Sequence, residues 1–199
     1  MSISPTTKII KRIAFLGDAT ALPHHRHFQD ALGVASHLAD LGYIIVNGGG
    51  PGIMLASTLG AKKAGGRTEI ITLDPDHEPD NYEGTDQQNY HLADKIYTTS
   101  SYSSRLNKLI DIADAFIVFK GGTGTLSEIG LIWEMAKFEY GHHEPLFFYG
   151  KFWRSLIREI TAKLNFENIE KRVVKVVTSP ESISTTLQKI TLSSTKAGN

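Results

Sequence analysis

Phe119-Lys120-Gly121-Gly122-Thr123-Gly124-Thr125-Leu126-Ser127-Glu128 joins two segments of different periodicity. Ahead of it, Ala115-Phe116-Ile117-Val118-Phe119 is a continuous apolar run, the pattern of a strand buried on both faces. Behind it, Leu126, Ile129, Ile132, Trp133 and Ala136 recur at helical spacing. Between them stand three glycines and two threonines in five residues. A strand, a glycine-rich turn and a helix start bring backbone N–H groups close to an anion at the positive end of the helix.

The same alternation spreads outward. Upstream, Ile13–Leu16 reads as a first strand ending at Gly17-Asp18, and Phe28 to Ala39 as a helix closed by Gly42. Tyr43–Val46 is a second strand. It runs into another glycine-rich turn, Asn47-Gly48-Gly49-Gly50-Pro51-Gly52, and a helix through Ala64. Glu69–Leu73 is a third strand. Asp74 to Asp94 carries no clear period and reads as a long functional loop. Lys95–Thr98 is a short strand, and Tyr102–Ile112 a helix with Tyr102, Leu106, Leu109 and Ala113 on its apolar stripe. Downstream, Leu146–Tyr149 is a strand, Trp153 to Leu164 a helix, Val173–Val177 a last strand, and Pro180 opens a last helix. Short apolar strands alternating with helices predict a Rossmann-like three-layer α/β/α fold around a parallel sheet of about six to seven strands. The expected division is an N-terminal extension at 1–11, a single domain at 12–192 and a tail at 193–199. Ligands of such sheets bind beyond the carboxyl ends of the strands, where both glycine turns lie.

Composition narrows the function. The 199 residues hold 21 Lys plus Arg against 21 Asp plus Glu, which argues against nucleic acid or a membrane surface as the main partner. There is no cysteine, so disulfides and thiolate metal sites are impossible. No apolar run approaches the roughly 20 residues of a membrane span. A cytoplasmic protein is the expectation. His24-His25-x-His27 lacks the i, i+4 spacing of a helical metal site, so no metal is expected. Neither glycine turn has the G-x-G-x-x-G of a dinucleotide site, and no G-x-x-x-x-G-K-[ST] is present. Two phosphate-type loops without a cofactor signature point to one phosphate on a small organic body.

Two motifs then carry a resemblance. Gly121-Gly122-Thr123-Gly124-Thr125-Leu126-Ser127-Glu128 resembles the P-G-G-x-G-T-x-x-E signature of the LOG (Lonely Guy) family, long described as lysine decarboxylases. Gly48-Gly49-Gly50-Pro51-Gly52-Ile53-Met54 resembles its G-G-G-x-G-[IL]-M signature. Arg105-Leu106-Asn107-Lys108-Leu109 stands where the family has R-K-x-x-[ML]. Lys120 replaces the motif proline, Leu106 the motif lysine, and Ser127 a glutamate common in plant-type members. The resemblance implies a Rossmann-like homodimer that hydrolyses the N-glycosidic bond of nucleoside 5′-monophosphates such as AMP or cytokinin riboside monophosphates. It further implies that no metal or organic cofactor is used.

On this reading Glu128 and Arg105 are the catalytic pair. A carboxylate suits the oxocarbenium character that develops on a ribosyl carbon. Gly48, Gly49, Gly50, Gly52, Met54, Lys108, Gly121, Gly122, Thr123, Gly124 and Thr125 are the expected substrate and phosphate contacts, with Asp18 and Asn81 at the pocket margin. Two other readings stay open. Thr125-x-x-Glu128 also fits a capping box, in which Glu128 only serves the helix end. A carrier of a phosphorylated ligand, similar to the molybdenum-cofactor carriers, needs the loops but no chemistry. Large apolar residues on more than one face of the helix after the turn (Leu131, Ile132, Trp133, Met135, Phe138) suggest burial against a second copy.

Overall fold

The computed structural model describes residues 9–78, 82, 84–141 and 143–196, the last five as backbone only. Seven parallel strands form one sheet in the order β4-β3-β2-β1-β5-β6-β7. They are β1 Arg12–Leu16, β2 Ile44–Asn47, β3 Thr68–Leu73, β4 Lys95–Thr99, β5 Ala115–Val118, β6 Leu146–Tyr149 and β7 Val174–Val177. The helices are α1 Arg26–Asp40, α2 Ile53–Lys63, α3 Gln87–Leu92, α4 Tyr102–Ile112, α5 Thr123–Phe138, α6 Phe152–Lys163, α7 Asn168–Val173 and α8 Pro180–Lys196.

Successive strand side chains point to opposite faces, so the central strands β1, β2, β5 and β6 feed two cores. Ile13, Phe15, Ile45, Ile117 and Phe147 pack with Phe28, Leu38, Ala56 and Leu187 of α1, α2 and α8. Ala14, Leu16, Val46, Phe116 and Phe148 pack with Leu109, Ile132, Trp133 and Trp153 of α4, α5 and α6. Burial on both faces explains why the strands read as unbroken apolar runs rather than as alternating ones.

The chain winds outward from β1 to β4, returns to the centre and winds the other way from β5 to β7. The reversal puts the ends of β1 and β5 side by side, with Ile13 to Leu16 in register with Ala115 to Val118. Such a switch point leaves a crevice beyond the strand ends. The N–H of Phe119 donates to Leu16 O at 2.8 Å and that of Asp18 to Lys120 O at 2.9 Å, which ties the two exits together.

Three expectations change. The stretch from Asp74 to Asp94 contains a 3-10 turn, Pro75–His77, and the helix α3. Helix α7 precedes the last strand, which therefore starts at Val174 rather than Val173. Both helices have only six residues, too few for an amphipathic period to register. Helix α8 runs to Lys196, four residues into the stretch expected as a tail. Residues 1–8 of the expected extension lie outside the described residues, as does Asn81.

Candidate active site

A cavity of about 450 Å³ fills the crevice between β1 and β5, a size typical of small-molecule sites, roughly 300–1,000 Å³. Gly17 to Thr20 line it from the end of β1, and Gly122 to Thr125 and Glu128 from α5. Gly48, Met54, Arg105, Tyr102, Tyr82 and Gly84 complete it.

Helix α5 opens at Thr123 with Gly122 as its N-cap, and no side chain caps it. The first N–H to bond back is that of Leu126, to Gly122 O at 3.0 Å. The N–H groups of Thr123, Gly124 and Thr125 are thus left open beside the cavity. They stand at the positive end of a 16-residue helix, an arrangement that favours an anion. Because the helix begins at Thr123, Thr125 is its third residue and Glu128 its sixth. The capping-box reading of Thr125 and Glu128 is therefore overturned: the carboxyl lies beyond the first turn and bonds no terminal N–H.

Glu128 is half-buried in the cavity wall. Burial pushes its carboxyl up to about 7, against the opposing pull of the Arg105 charge. Arg105 is 5% exposed on α4. Its Nε–H donates to Ile71 O at 3.0 Å and an Nη2 N–H donates to Gly48 O at 2.9 Å. Nη2 also lies 3.9 Å from Met54 Sδ. Nη1 keeps its donors unpaired among the described residues. No ion pair joins Arg105 to Glu128, so the two act on each other through space across the cavity.

The second glycine turn serves Arg105 more than it serves a ligand. A Cβ on Gly48 would lie 1.7 Å from Arg105 Nη2, so only glycine leaves room for the guanidinium. Gly49 and Gly52 have φ of +77° and +65°, and neither lines the cavity; nor does Gly50. They shape the turn, whose form is held by a buried side-chain network. Asn89 Nδ2 donates to Asn47 Oδ1 at 3.1 Å and to Gly50 O at 2.9 Å, and Gly49 N–H donates to Asn47 Oδ1 at 2.8 Å. Thr58 Oγ1 donates to Asn89 Oδ1 at 2.7 Å. Asn47 and Asn89 were invisible as site-building residues because they come from β2 and from the unforeseen α3.

Of the other expected contacts, Met54, Gly122, Thr123, Gly124, Thr125 and Asp18 line the cavity. Gly121 does not; it packs against Thr125, whose Oγ1 would lie 2.1 Å from an added Cβ. Lys108 does not either. Its Nζ sits 5.3 Å from the centre of the Tyr97 ring at the β4 edge. Asp18 accepts from Thr20 N–H and Oγ1–H, each at 2.8 Å, and meets His27 Nε2 at 3.3 Å. Burial would raise its carboxyl, but these bonds together hold it below the usual carboxylate range. His27 is thereby engaged, and His25 Nδ1 accepts from Leu22 N–H at 3.0 Å.

Tyr102, read from sequence as a core position, is 39% exposed and lines the cavity. Its hydroxyl reaches Ser127 Oγ at 3.2 Å. The i, i+3 spacing to Arg105 was the signal that it shares the arginine's side of α4. Tyr82 brings a buried hydroxyl with no hydrogen-bond partner among the described residues.

The chain belongs to the SLOG cluster4 family, whose sequence profile matches residues 10–181. No curated protein matches it significantly. Among solved structures it is similar to the molybdenum cofactor binding protein of Rippkaea orientalis, with 24% identity, a TM-score of 0.68, and coverage of 92% of this chain and 98% of that one. The molybdenum cofactor carrier protein of Chlamydomonas reinhardtii gives 19% identity and a TM-score of 0.64, with coverage of 92% and 98%. DNA processing protein A of Streptococcus pneumoniae gives 16% and 0.63, covering 88% of this chain and 61% of its own. At these identities the likeness is one of fold.

Proposed function

We propose that this SLOG-family chain hydrolyses the N-glycosidic bond of a purine-type nucleoside 5′-monophosphate, AMP or a cytokinin riboside monophosphate. The products are the free base and ribose 5-phosphate. The observation that carries the proposal is Glu128: a half-buried carboxyl, held near neutrality, in one cavity with Arg105 and the open end of α5.

The phosphate sits on the N–H groups of Thr123, Gly124 and Thr125. The same rigid helix then sets the distance from phosphate to carboxyl. As the C–N bond breaks, the electron pair leaves with the base and positive charge grows on the sugar carbon. Ionised Glu128 stabilises that charge and takes a proton from the attacking water, while the departing nitrogen takes up a proton from solvent and leaves as the neutral base. Arg105 is anchored to two carbonyls before any ligand arrives, so its free Nη1 donors meet a ribose or phosphate oxygen without reorganising. This chemistry calls for no metal or organic cofactor.

A second copy is proposed to pack on the outward face of α5. Leu131 is 36% and Phe138 75% exposed there, while Ile132 and Trp133 are buried within the chain.

One observation favours the carrier reading instead. Arg105 bonds to backbone carbonyls and pairs with no carboxylate, so the cavity can hold a phosphorylated ligand without a catalytic pair. Incubation with AMP, with adenine and ribose 5-phosphate measured by chromatography, separates the two. Hydrolysis by the wild type that Glu128→Gln lowers at least 100-fold supports the enzyme. Equal inertness of both proteins toward the common nucleoside monophosphates, with a phosphorylated compound still bound, gives the carrier.

A further inference from the structure

A second cavity, of about 660 Å³, opens on the same edge of the sheet, beyond the ends of β5, β6 and β7. Arg26, His27 and Asp30 of α1 line one side, Phe119 and Lys120 its floor, and Tyr149 to Phe152 with Thr178 the other side. We infer that this cavity is an anion site of its own, taking a phosphorylated compound that carries a flat ring.

Its charge is the first argument. Arg26, Lys120 and Lys151 face one carboxylate, Asp30. Only Arg26 reaches that carboxylate, at 3.7 Å, and its side chain remains 94% exposed. Lys120 and Lys151 are exposed and have no acidic partner among the described residues. Three cations lining a concavity against one carboxylate leave an excess of positive charge that attracts an anion.

Its wall is the second. Tyr149 is half-buried on that wall, its ring 5.1 Å by centroids from that of Phe119, which lies in the core behind it. Phe152 stands 43% exposed at the rim, its ring 4.9 Å from that of the buried Trp153. Apolar rings with convergent polar groups are what a small planar ligand requires.

The third argument is its separation from the first cavity. Asp18 lines the first and His27 the second, and the two side chains meet at 3.3 Å as a partition. The carbonyl of Lys120 accepts the N–H of Asp18 at 2.9 Å, which closes the partition from below. A ligand of the second cavity therefore does not occupy the helix end that serves the first.

Calorimetric titration of the Glu128→Gln chain with AMP at low salt tests this, since that variant leaves the probe intact. Two AMP molecules per chain are expected. Added Arg26→Glu and Lys151→Glu should weaken one of them at least tenfold and leave the other unchanged. Gly124→Glu, where a Cβ meets nothing nearer than Tyr102 Oη at 3.7 Å, should remove the other by setting a carboxylate at the end of α5. Any result in which the paired charge reversals leave AMP binding unchanged overturns the inference, whatever the first cavity does. Loss of one site on reversal in a chain whose wild type hydrolyses no nucleotide upholds it and removes the proposed activity instead.

Discussion

Glu128→Gln should stabilise the protein, and only above a definite pH. In the folded chain the carboxyl is raised from its ordinary value of 4.5 to about 7, with burial as the main cause. Between those values the folded state holds a proton that the unfolded chain has released, so stability falls as pH rises. Below 4.5 both states are protonated and the site costs nothing. Above about 7 the cost is complete, at about 3 kcal/mol, from a shift of roughly two and a half units at 1.36 kcal/mol each. Glutamine carries no charge and escapes the cost. For a chain of this size 1 kcal/mol moves Tm by about 2–4 °C. The variant should therefore melt roughly 6–12 °C above wild type at pH 8 and within a few degrees of it at pH 4.5. Thermal and urea unfolding at both pH values measure this. A difference that does not grow with pH, or a variant less stable than wild type at pH 8, refutes the argument that Glu128 is a desolvated carboxyl. If the proposed hydrolysis runs through ionised Glu128, the same titration predicts a rate that falls tenfold per pH unit below about 7.

Three further outcomes follow from packing. Gly48→Ala places a methyl group 1.7 Å from Arg105 Nη2 and should expel the guanidinium, lowering AMP turnover at least tenfold with a clear drop in Tm. Asn89→Ala removes the side-chain donor to Gly50 O and the acceptor of the Thr58 hydroxyl, leaves Asn47 Oδ1 with Gly49 N–H alone, and should cost about 2–4 kcal/mol in urea unfolding. Phe138→Glu, at a position 75% exposed in the single chain, should convert a dimer to a monomer by light scattering without changing the Tm of a single-chain core; a wild-type chain that is already monomeric defeats the α5 interface.

The layers of the fold were legible because the central strands are buried on both faces. Ala115 to Val118 needs apolar residues at every position, and that run survives in sequence whatever packs on it. The elements that escaped reading are α3 and α7, whose six residues each are shorter than two helical turns. The site was legible where one element builds it. Gly122 to Thr125 and Glu128 belong to the N-cap and first two turns of α5, so the helix converts their spacing in sequence directly into spacing in space. It was misleading where a motif serves packing. Gly48 to Gly52 resembles a phosphate loop, yet only Gly48 touches the cavity, and its absent side chain is the socket of an arginine 57 residues away. Lys108 illustrates the opposite error: one turn from Arg105 in sequence, it leans over Tyr97 and away from the cavity.

Among the described residues lining the first cavity, Arg105 is the one Lys, Arg or His, against the carboxyls of Asp18 and Glu128. A phosphate there relies on the α5 N–H groups and on one guanidinium, and its negative charge works against an ionised Glu128. Ligand binding near neutral pH should therefore take up protons, because the bound phosphate drives the Glu128 carboxyl further toward its neutral form. In the proposed hydrolysis, the sugar carbon carries positive charge once the glycosidic bond stretches, which reverses that preference. The carboxylate is thus disfavoured beside the intact nucleotide and favoured beside the breaking one. An interaction that is poor in the ground state and strong in the transition state accelerates the chemical step rather than merely tightening binding. A pure carrier gains nothing from this reversal and bears the stability cost of the buried carboxyl at every pH above about 7.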